Sequence, residues 1–289
     1  MDEITVKALA KINLGLDVLR RREDGYHEVK MIMQTIHLYD QLFLEKTESG
    51  ISLETNLKFL PTNPGNLAYR AAALLQEEFH LKEGVHIRLQ KRIPVAAGMA
   101  GGSTDAAGVL YGMNQMFHLG MSRKDLMERG VKLGADVPYC LMRGTALAEG
   151  IGEKLTSLPP MVKCPVVIAK PQISVSTKYV YEHLVLNENT KHPDIDQLIS
   201  DIKAKDLDAI ASHMGNVLES VTIDKYPEIA KIKDVLLENE AKNAMMSGSG
   251  PTVFALYDEE EKARRAVERL RETGLAKQVF VTDIYNNRR

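Results

Sequence analysis

A stretch of fifteen residues with almost no side chains constrains this chain more than any other feature. The stretch, PVAAGMAGGSTDAAG at 94–108, contains four glycines and five alanines. The segment before it, VHIRLQK at 85–91, alternates apolar and polar residues as a half-buried strand does. Apolar residues after it, from Ala106 to Phe117, recur at helical spacing. The sequence therefore predicts a strand, a loop of nearly bare backbone, and the N-terminus of a helix.

This order of elements favours the binding of a phosphate group. A glycine-rich loop at a helix N-terminus offers free N–H donors together with the positive end of the helix dipole. Ser103 or Thr104 is placed to cap the helix. The chain contains no Gly-Lys dipeptide and no G-x-G-x-x-G, so the loop is neither a Walker A nor a Rossmann sequence. A tight turn for helix packing would use the same small residues, and both interpretations stay open at this point.

Composition narrows the class of partner. The chain has 289 residues, 44% of them hydrophobic and 26% charged, which is typical of a globular protein with two domains. Lysine and arginine (37) nearly balance aspartate and glutamate (39), so no basic field favours nucleic acid or anionic lipid. We expect a small-molecule partner, no nucleic acid and no membrane. The N-terminus lacks the apolar core of a signal peptide and no segment is typical of a bilayer span, so we expect a cytoplasmic protein.

Periodicity along the chain alternates between the strand and the helix types. The first forty residues indicate two strands joined at Asp24 and Gly25, and 67–81 has the apolar face of a helix. Ser122 is placed to cap a further helix that ends near Gly134.

A double proline at 159–160 follows a glycine-rich passage, and we place a domain boundary there, giving domains 1–158 and 159–289. The second domain reads as strands at 164–171, 252–257 and 277–285 with helices between them, whereas 173–184 looks irregular. The fold class is α+β.

The two cysteines, Cys140 and Cys164, lie in apolar surroundings. In an intracellular protein we expect them to be small core residues and not a disulfide. The eight histidines show no spacing typical of a zinc site.

Three motifs together resemble the GHMP kinase superfamily, the group of galactokinase, homoserine kinase and mevalonate kinase. The stretch 94–108 is similar to the phosphate loop of that superfamily. AKINLGL at 10–16 and MSGSGPTVFAL at 246–256 match its other two motifs in the expected order. SGSG within the last motif forms no nucleophile elbow, so we interpret it as a turn that lets two backbones approach near the phosphate loop. The resemblance implies a two-domain GHMP kinase fold, with a ribosomal-protein-S5-like N-terminal domain and a ferredoxin-like C-terminal domain.

Three further stretches narrow the resemblance to the 4-diphosphocytidyl-2-C-methyl-D-erythritol kinase family. They are RREDGYHEV at 21–29, GNLAYRAA at 65–72 and LGADVPYC at 133–140. This resemblance implies ATP-dependent phosphorylation of the 2-hydroxyl of a methylerythritol that carries a cytidine diphosphate group, a step of non-mevalonate isoprenoid precursor biosynthesis. The alternatives are another GHMP small-molecule kinase, of the homoserine or mevalonate type, and a non-catalytic nucleotide-binding module.

Two residues are candidates for catalysis. Asp136 lies between a glycine turn and a segment that looks like a buried strand, and the resemblance assigns to it the role of base for the hydroxyl proton. Lys11 interrupts an apolar strand. It is either an exposed charge or an ammonium directed into the cleft that keeps Asp136 ionised, and the resemblance favours the second.

The candidates for substrate binding include aromatic residues suited to a nucleobase. Asn13 follows Lys11 by two residues and so shares its strand face, where it would bind the polyol. Tyr26 and His27 leave the Asp24-Gly25 turn, and an aromatic face with polar groups is what cytosine recognition requires. The resemblance adds Thr177 and Tyr181, with Tyr181 closing on the base from the other side.

The candidates for ATP binding share the loop or flank it. By family analogy, Asn66 and Lys91 lie near the adenine and ribose, and the loop amides from Val95 to Thr104 hold the phosphates. These residues are Asn66, Lys91, Pro94, Val95, Ala96, Ala97, Gly98, Met99, Ala100, Gly101, Gly102, Ser103 and Thr104.

The cofactors implied are ATP and Mg²⁺, whose protein ligand the sequence leaves open. The loop departs from the superfamily pattern at two positions. Met99 replaces a leucine, a change of similar volume that we expect to be silent. Asp105 replaces an alanine and adds negative charge near bound phosphate, so we expect its carboxylate to point away from the loop.

Overall fold

The computed structural model describes residues 1–287 and combines strands and helices along the whole chain. The strands are β1 (Glu3–Arg21), β2 (His27–Thr47), β3 (Ile51–Thr55), β4 (Gly84–Gln90), β5 (Thr145–Gly150), β6 (Lys154–Ser157), β7 (Pro165–Lys170), β8 (Gly215–Asn216), β9 (Asn243–Met246), β10 (Val253–Leu256) and β11 (Gln278–Asp283). The helices are α1 (Leu67–Glu78), α2 (Gly101–Met116), α3 (Arg123–Val131), α4 (Val137–Met142), α5 (Thr177–His183), α6 (Ile195–Ala204), α7 (Leu207–His213), α8 (Glu219–Lys225), α9 (Glu228–Glu238) and α10 (Glu260–Thr273). The predicted α+β class is confirmed.

The chain divides into two compact units, each built from separated segments. The first unit comprises Met1–Ala10, Leu38–Val95 and Ala100–Met142. The second comprises Lys11–His37, Ala96–Met99 and the chain from Arg143 onward. The boundary predicted between residues 158 and 159 stays a prediction.

In the first unit, β4 pairs with strands on both sides. Its partner β3 runs parallel to it, with Ile51 opposite Val85. The final part of β2 runs antiparallel to it, with Gln41 opposite Gln90. This register has a consequence for the site, because the next antiparallel pair beyond these strands brings residue 40 opposite residue 91.

Helix α2 packs closely on the same strands because its inner face carries glycine. A Cβ atom on Gly108 would lie 2.4 Å from a methyl group of Leu42, and one on Gly112 would lie 3.1 Å from a methyl group of Leu44. Both leucines are fully buried, and burying a leucine contributes roughly 1.5–3 kcal/mol. The glycines therefore let a hydrophobic core fix the position of α2, and with it the position of the helix N-terminus.

In the second unit, β7, β9, β10 and β11 form an antiparallel sheet in the order β11-β7-β10-β9. Helices α5 to α9 follow β7 and helix α10 connects β10 to β11. Taking the strands in chain order as one to four, the sheet order is four, one, three, two, which is the ferredoxin-like arrangement that the resemblance implies. The same unit holds an antiparallel ladder between β2 and β5 and a short parallel pairing of β1 with β8.

Several segments differ from the sequence-based predictions, which did not include strands β3 and β9. The glycine-rich passage before the double proline contains the paired strands β5 and β6, in which the alternation is short. The stretch predicted as irregular contains helix α5, which Ser176 caps by accepting a hydrogen bond from the Tyr179 amide. The segment after Asp136, predicted as a strand, is helix α4; six apolar residues in a row do not distinguish the two.

The predictions for the cap of helix α3 and for the two cysteines are confirmed. Helix α3 begins after Ser122, which forms a capping box with Asp125. Cys140 and Cys164 are buried free thiols. Within residues 1–287, no helix combines the length and the apolar character needed to cross a bilayer.

Candidate active site

The loop between β4 and α2 has an unusual backbone. Three alternate residues have positive φ: Ala96 at 50°, Gly98 at 70° and Ala100 at 55°. Left-handed backbone costs an alanine roughly 1–2 kcal/mol, so the remaining structure must hold this conformation in place. Alternation of right- and left-handed residues turns successive N–H groups toward one side, which is the geometry of an anion-binding nest.

The amides of this loop have no acceptor of their own. Within residues 1–287, no amide from Val95 to Ser103 donates a hydrogen bond of good geometry, although residues 95 and 96 form a turn; the Thr104 amide donates to the Ala100 carbonyl at 2.8 Å. The predicted cap by Ser103 or Thr104 is wrong, because the helix begins at Gly101 and its N-cap residue, Ala100, makes no side-chain cap. Instead, the Thr104 hydroxyl donates to the Leu9 carbonyl at 2.8 Å. The helix start therefore keeps its N–H donors for an external acceptor.

A second turn approaches the loop at Gly98. The Ser247 hydroxyl donates to the Gly98 carbonyl at 3.0 Å. A Cβ atom on Gly98 would lie only 2.0 Å from the Ser247 carbonyl oxygen, so only glycine fits there. The side-chain amide of Asn216 stabilises the turn by donating to the backbone carbonyls of Met246 and Gly248, each at 2.8 Å. The prediction that SGSG lets two backbones approach is confirmed.

Lys11 and Asn13 lie on the same face of β1, as the spacing predicted. Both side chains are buried, and the Lys11 ammonium donates to Asn13 Oδ1 at 2.7 Å. The Lys11 amide donates to the Met99 carbonyl at 3.3 Å, and the ammonium lies 3.6 Å from the position of a Cβ on Gly248. Lys11 is therefore an ammonium held beside the SGSG turn and is not an exposed strand charge.

The rings of His27 and Tyr181 face each other. Their centroids are 5.1 Å apart and their planes are inclined by 40°. Burial, aided by the positive charge of Arg21, lowers the pKa of His27, so the imidazole is neutral near pH 7 and offers both a donor and an acceptor. Tyr26 is exposed at the turn, with 61% of its surface accessible.

Thr177 connects these rings to the SGSG turn. It lies one helical turn before Tyr181 on α5, so the two side chains share a face. Its hydroxyl lies 2.8 Å from the Ser249 hydroxyl. The structure thus brings His27, Tyr181 and Thr177 together.

Asp136 is half-buried and immediately precedes helix α4. Its carbonyl accepts the Cys140 amide at 3.1 Å, which begins the helix. The turn before it is close to the start of α2, since the Ser103 hydroxyl lies 4.0 Å from the position of a Cβ on Gly134. The carboxylate is therefore carried by a turn near the loop's helical end.

The two residues predicted to flank the nucleotide have structural partners. The side-chain oxygen of Asn66 caps α1 by accepting from the backbone amide of Ala68 at 2.9 Å. The side-chain Nδ2 of Asn66 donates to the Pro61 carbonyl at 2.9 Å. The Lys91 ammonium is buried and donates hydrogen bonds to Asp40 and, at 2.6 Å, to Asp105. Direct contacts of these two residues with a nucleotide stay predictions.

Sequence reasoning missed Asp40, although a lone carboxylate inside the apolar run HLYDQLFL was a signal that could have found it. The Oδ2 atom of Asp105 is directed at Lys91, and its orientation relative to bound phosphate stays a prediction.

Comparisons with known proteins identify the family of this chain. Residues 66–144 match the family model of the GHMP kinases N terminal domain, and 198–276 match that of the GHMP kinases C terminal domain. A 4-diphosphocytidyl-2-C-methyl-D-erythritol kinase of Lachnoclostridium phytofermentans is 55% identical over 289 residues, covering 100% of this chain and 99% of the relative. This chain belongs to the 4-diphosphocytidyl-2-C-methyl-D-erythritol kinase family. It is a kinase of the GHMP type, as the sequence predicted.

Solved structures support the same family. A crystal structure of 4-(cytidine 5'-diphospho)-2C-methyl-D-erythritol kinase matches with a TM-score of 0.86 at 32% identity, covering 98% of this chain and 100% of that one. A homoserine kinase from Cytophaga hutchinsonii matches with a TM-score of 0.80 at 21% identity, covering 99% of this chain and 96% of that one. The second likeness is one of fold alone. The predicted two-domain GHMP kinase fold is confirmed.

Proposed function

We propose that this chain transfers the γ-phosphoryl group of ATP to the 2-hydroxyl of 4-diphosphocytidyl-2-C-methyl-D-erythritol. The observation that carries the proposal is the loop of amides without internal acceptors at the start of α2. Such a loop stabilises the charge of a nucleotide's phosphates. The name of the family supplies the acceptor substrate.

At the nucleotide end, the amides from Val95 to Thr104 hold the phosphates of ATP. The positive φ values at Ala96 and Ala100 support this role, because strained backbone persists where function requires it. Asn66 and Lys91 serve the same end of the site, and the buried position of the Lys91 ammonium favours an indirect role for it.

At the acceptor end, the cytosine ring stacks on Tyr26 and is closed in by Tyr181. The neutral His27 offers a donor and an acceptor to the polar edge of the base. Thr177 lies on the same helical face as Tyr181, and Asn13 binds the polyol. A substrate without the cytidyl group loses these contacts, so the handle accounts for specificity.

The chemistry requires one proton acceptor and one cation. Asp136 accepts the proton of the 2-hydroxyl, and the oxygen attacks the γ-phosphorus. The bond from that phosphorus to the β,γ-bridging oxygen breaks, and ADP leaves with the bond's electron pair. Lys11 stabilises the negative charge that develops on the substrate oxygen, and its burial supports this role because the interaction is stronger away from water.

Magnesium is part of the proposal as a companion of the nucleotide, because it screens phosphate oxygens. Among residues 1–287, no group of three or more histidine, cysteine, aspartate or glutamate side chains is arranged to hold a metal ion. Magnesium that accompanies a nucleotide needs no such group, because phosphate oxygens and water supply most of its ligands. The cytoplasmic location also stays a prediction.

An assay of ADP release across candidate alcohols tests the proposal. We expect turnover with 4-diphosphocytidyl-2-C-methyl-D-erythritol and none with methylerythritol phosphate, homoserine or mevalonate. CMP should raise the melting temperature and compete with the cytidyl substrate. Turnover of homoserine or mevalonate at a similar rate, with no effect of CMP, would favour the other GHMP kinases instead.

A further inference from the structure

Three buried ionisable side chains meet beside the phosphate loop, and the proposed chemistry does not use two of them. Asp40, Lys91 and Asp105 are 0%, 7% and 2% exposed. The Lys91 ammonium lies between the two carboxylates and donates a hydrogen bond to each. Ionisable groups are rarely buried without a hydrogen-bonded partner, because burial removes the hydration that stabilises their charged form. A fold that buries three of them at one place holds the backbone there firmly.

Asp40 holds the chain on the way into the loop. The strand register brings it opposite Lys91, and its Oδ1 accepts the backbone amides of both Arg92 and Ile93, the latter at 2.8 Å. Asn56 completes this arrangement, since its side chain accepts the Lys91 amide at 2.8 Å and donates to the Lys91 carbonyl at 3.1 Å. Two side chains therefore satisfy three consecutive amides that follow β4 and are not paired in a ladder.

Asp105 holds the chain on the way out. It lies in the first turns of α2, and its Oδ2 accepts from the Lys91 ammonium at 2.6 Å. The same ammonium lies 3.3 Å from the position of a Cβ on Gly101, the first residue of the helix. The small residue lets the lysine pass against the helix start and reach Asp105.

We propose that Asp40 and Asp105 are positioning residues for the phosphate loop, holding residues 91–93 and the start of α2 together through the Lys91 ammonium. The loop between them spans only residues 94–100, so fixing its two ends limits how far its strained backbone can relax. This inference rests on the proposed function in one respect, namely that the loop binds the phosphates of ATP. Its structural part can be measured without a nucleotide.

The test uses Asp105→Ala, which removes the contact at the helix, and Asp105→Asn, which keeps an oxygen for Lys91. For Asp105→Ala we expect the KM for ATP to rise about tenfold while kcat changes less than about threefold, because misplaced amides weaken phosphate binding before chemistry. Asp105→Asn should restore the KM to within about threefold of the parent. The KM for the cytidyl substrate should not change in either variant.

Asp40, Lys91 and Asp105 form what we call the clamp, because their contacts hold the two ends of the loop. Hydrogen exchange on the nucleotide-free protein measures this clamp without any contribution from ATP. The amides of Arg92 and Ile93 bond to Asp40, and the Thr104 amide bonds within the helix start. We expect all three to exchange faster in Asp105→Ala than in Asp105→Asn. Should Asp105→Ala not fold, Asp40→Asn carries the same measurements, because asparagine has one acceptor oxygen and cannot accept from both Lys91 and the amides of Arg92 and Ile93.

Asp201 provides a matched control in the second unit. It is 6% exposed, and its carboxylate accepts from Gln197 and pairs with His213 at 2.7 Å. Asp201→Ala removes a buried carboxylate of similar burial and should lower the melting temperature without changing the KM for ATP.

Each outcome decides a different point. Unchanged exchange in Asp105→Ala overturns the clamp. If exchange is faster but the KM for ATP is unchanged, the result supports the clamp and contradicts phosphate binding by the loop. A rise in KM that Asp201→Ala reproduces to the same extent reduces the cluster to a contribution to stability.

Discussion

At the scale of single residues, the environment of a charge decides its role. Lys11 and Lys91 are the buried lysines of residues 1–287. Lys91 donates to two carboxylates, whereas Lys11 donates to the neutral oxygen of Asn13 beside the SGSG turn. The two buried acids beside Lys91 suit it to holding the fold together, and the proposed reaction uses Lys11 and Asp136.

Asp136→Asn separates catalysis from binding. Because the amide cannot accept the hydroxyl proton, we expect kcat to fall by about 10²–10⁴-fold while the affinity for ATP, measured by titration, stays within about threefold. Asp234→Asn, the same change at an exposed site on α9, should leave both quantities unaltered. A parallel loss of ATP affinity and turnover in Asp136→Asn would mean that Asp136 supports the loop and is not the base.

The pKa of Asp105 makes stability depend on pH. Burial raises this pKa well above its usual value and the nearby charge of Asp40 adds to the shift, while Lys91 opposes it. Two carboxylates share one ammonium, so protonation of Asp105 leaves the buried cluster neutral. In the folded protein Asp105 keeps a proton that the unfolded chain releases near pH 4, and the stability from this difference is present in acid and lost as pH rises toward the folded pKa.

Asp105→Asn tests this dependence, because asparagine resembles the protonated acid at every pH. Urea unfolding at pH 5 and pH 8 should show that the variant loses less stability than the parent on going from the lower to the higher pH. The comparison is made between the two proteins at each pH, so that other titrating groups cancel. An equal loss in both proteins would show that Asp105 is ionised when folded.

At the scale of elements, the loop depends on close contact with a second turn. Residues with positive φ set its shape, and the approach of Ser247 to Gly98 fixes its middle. The glycines of α2 fix the helix that follows it, and the register of β2 with β4 fixes the strand before it. The loop therefore owes its conformation to elements distant in the sequence.

Gly98→Ala and Gly120→Ala form a matched pair for this contact. Both glycines have φ of 70°, but a Cβ on Gly98 would lie 2.0 Å from Ser247 whereas one on Gly120 would meet nothing within 4 Å. Gly120→Ala should cost only the left-handed backbone term of about 1–2 kcal/mol in the free energy of unfolding. Gly98→Ala should cost more and also raise the KM for ATP. Equal losses in the two variants would rule out the Ser247 contact.

At the scale of the whole molecule, each of the two units buries one cysteine thiol in its core. The free thiols Cys140 and Cys164 are 5% and 4% exposed. Burial, aided by the negative charge of Asp283, raises the pKa of Cys164 to about 12. The thiolate, which is the reactive form, is therefore scarce at neutral pH.

Thiol titration provides a measurement of this exclusion. With an aromatic disulfide reagent at pH 8, we expect neither cysteine to react in the native protein and both to react after unfolding in guanidinium chloride. Reaction of one thiol in the native state would show that one core opens locally, and Cys140→Ala would identify which cysteine it is.

The sequence alone determined the order of strand, bare loop and helix and the α+β class, and it supplied the candidate residues of the site. Periodicity and small residues are local properties, so Lys11 with Asn13 and the capping box of Ser122 were predictable from spacing. Prediction from the sequence failed where the local pattern is ambiguous, as at α4 and α5. There, short apolar or mixed runs fit either a strand or a helix.

The tertiary structure decided what the local pattern could not specify, namely the contacts between segments far apart in the chain. The pairing of Asp40 with Lys91 and Asp105 depends on strand register and on the glycine face of α2, and the space at Gly98 depends on a turn about 150 residues away. Such contacts exist only after the core has fixed the backbone. The burial of apolar side chains supplies the free energy that holds buried ions and strained residues in place.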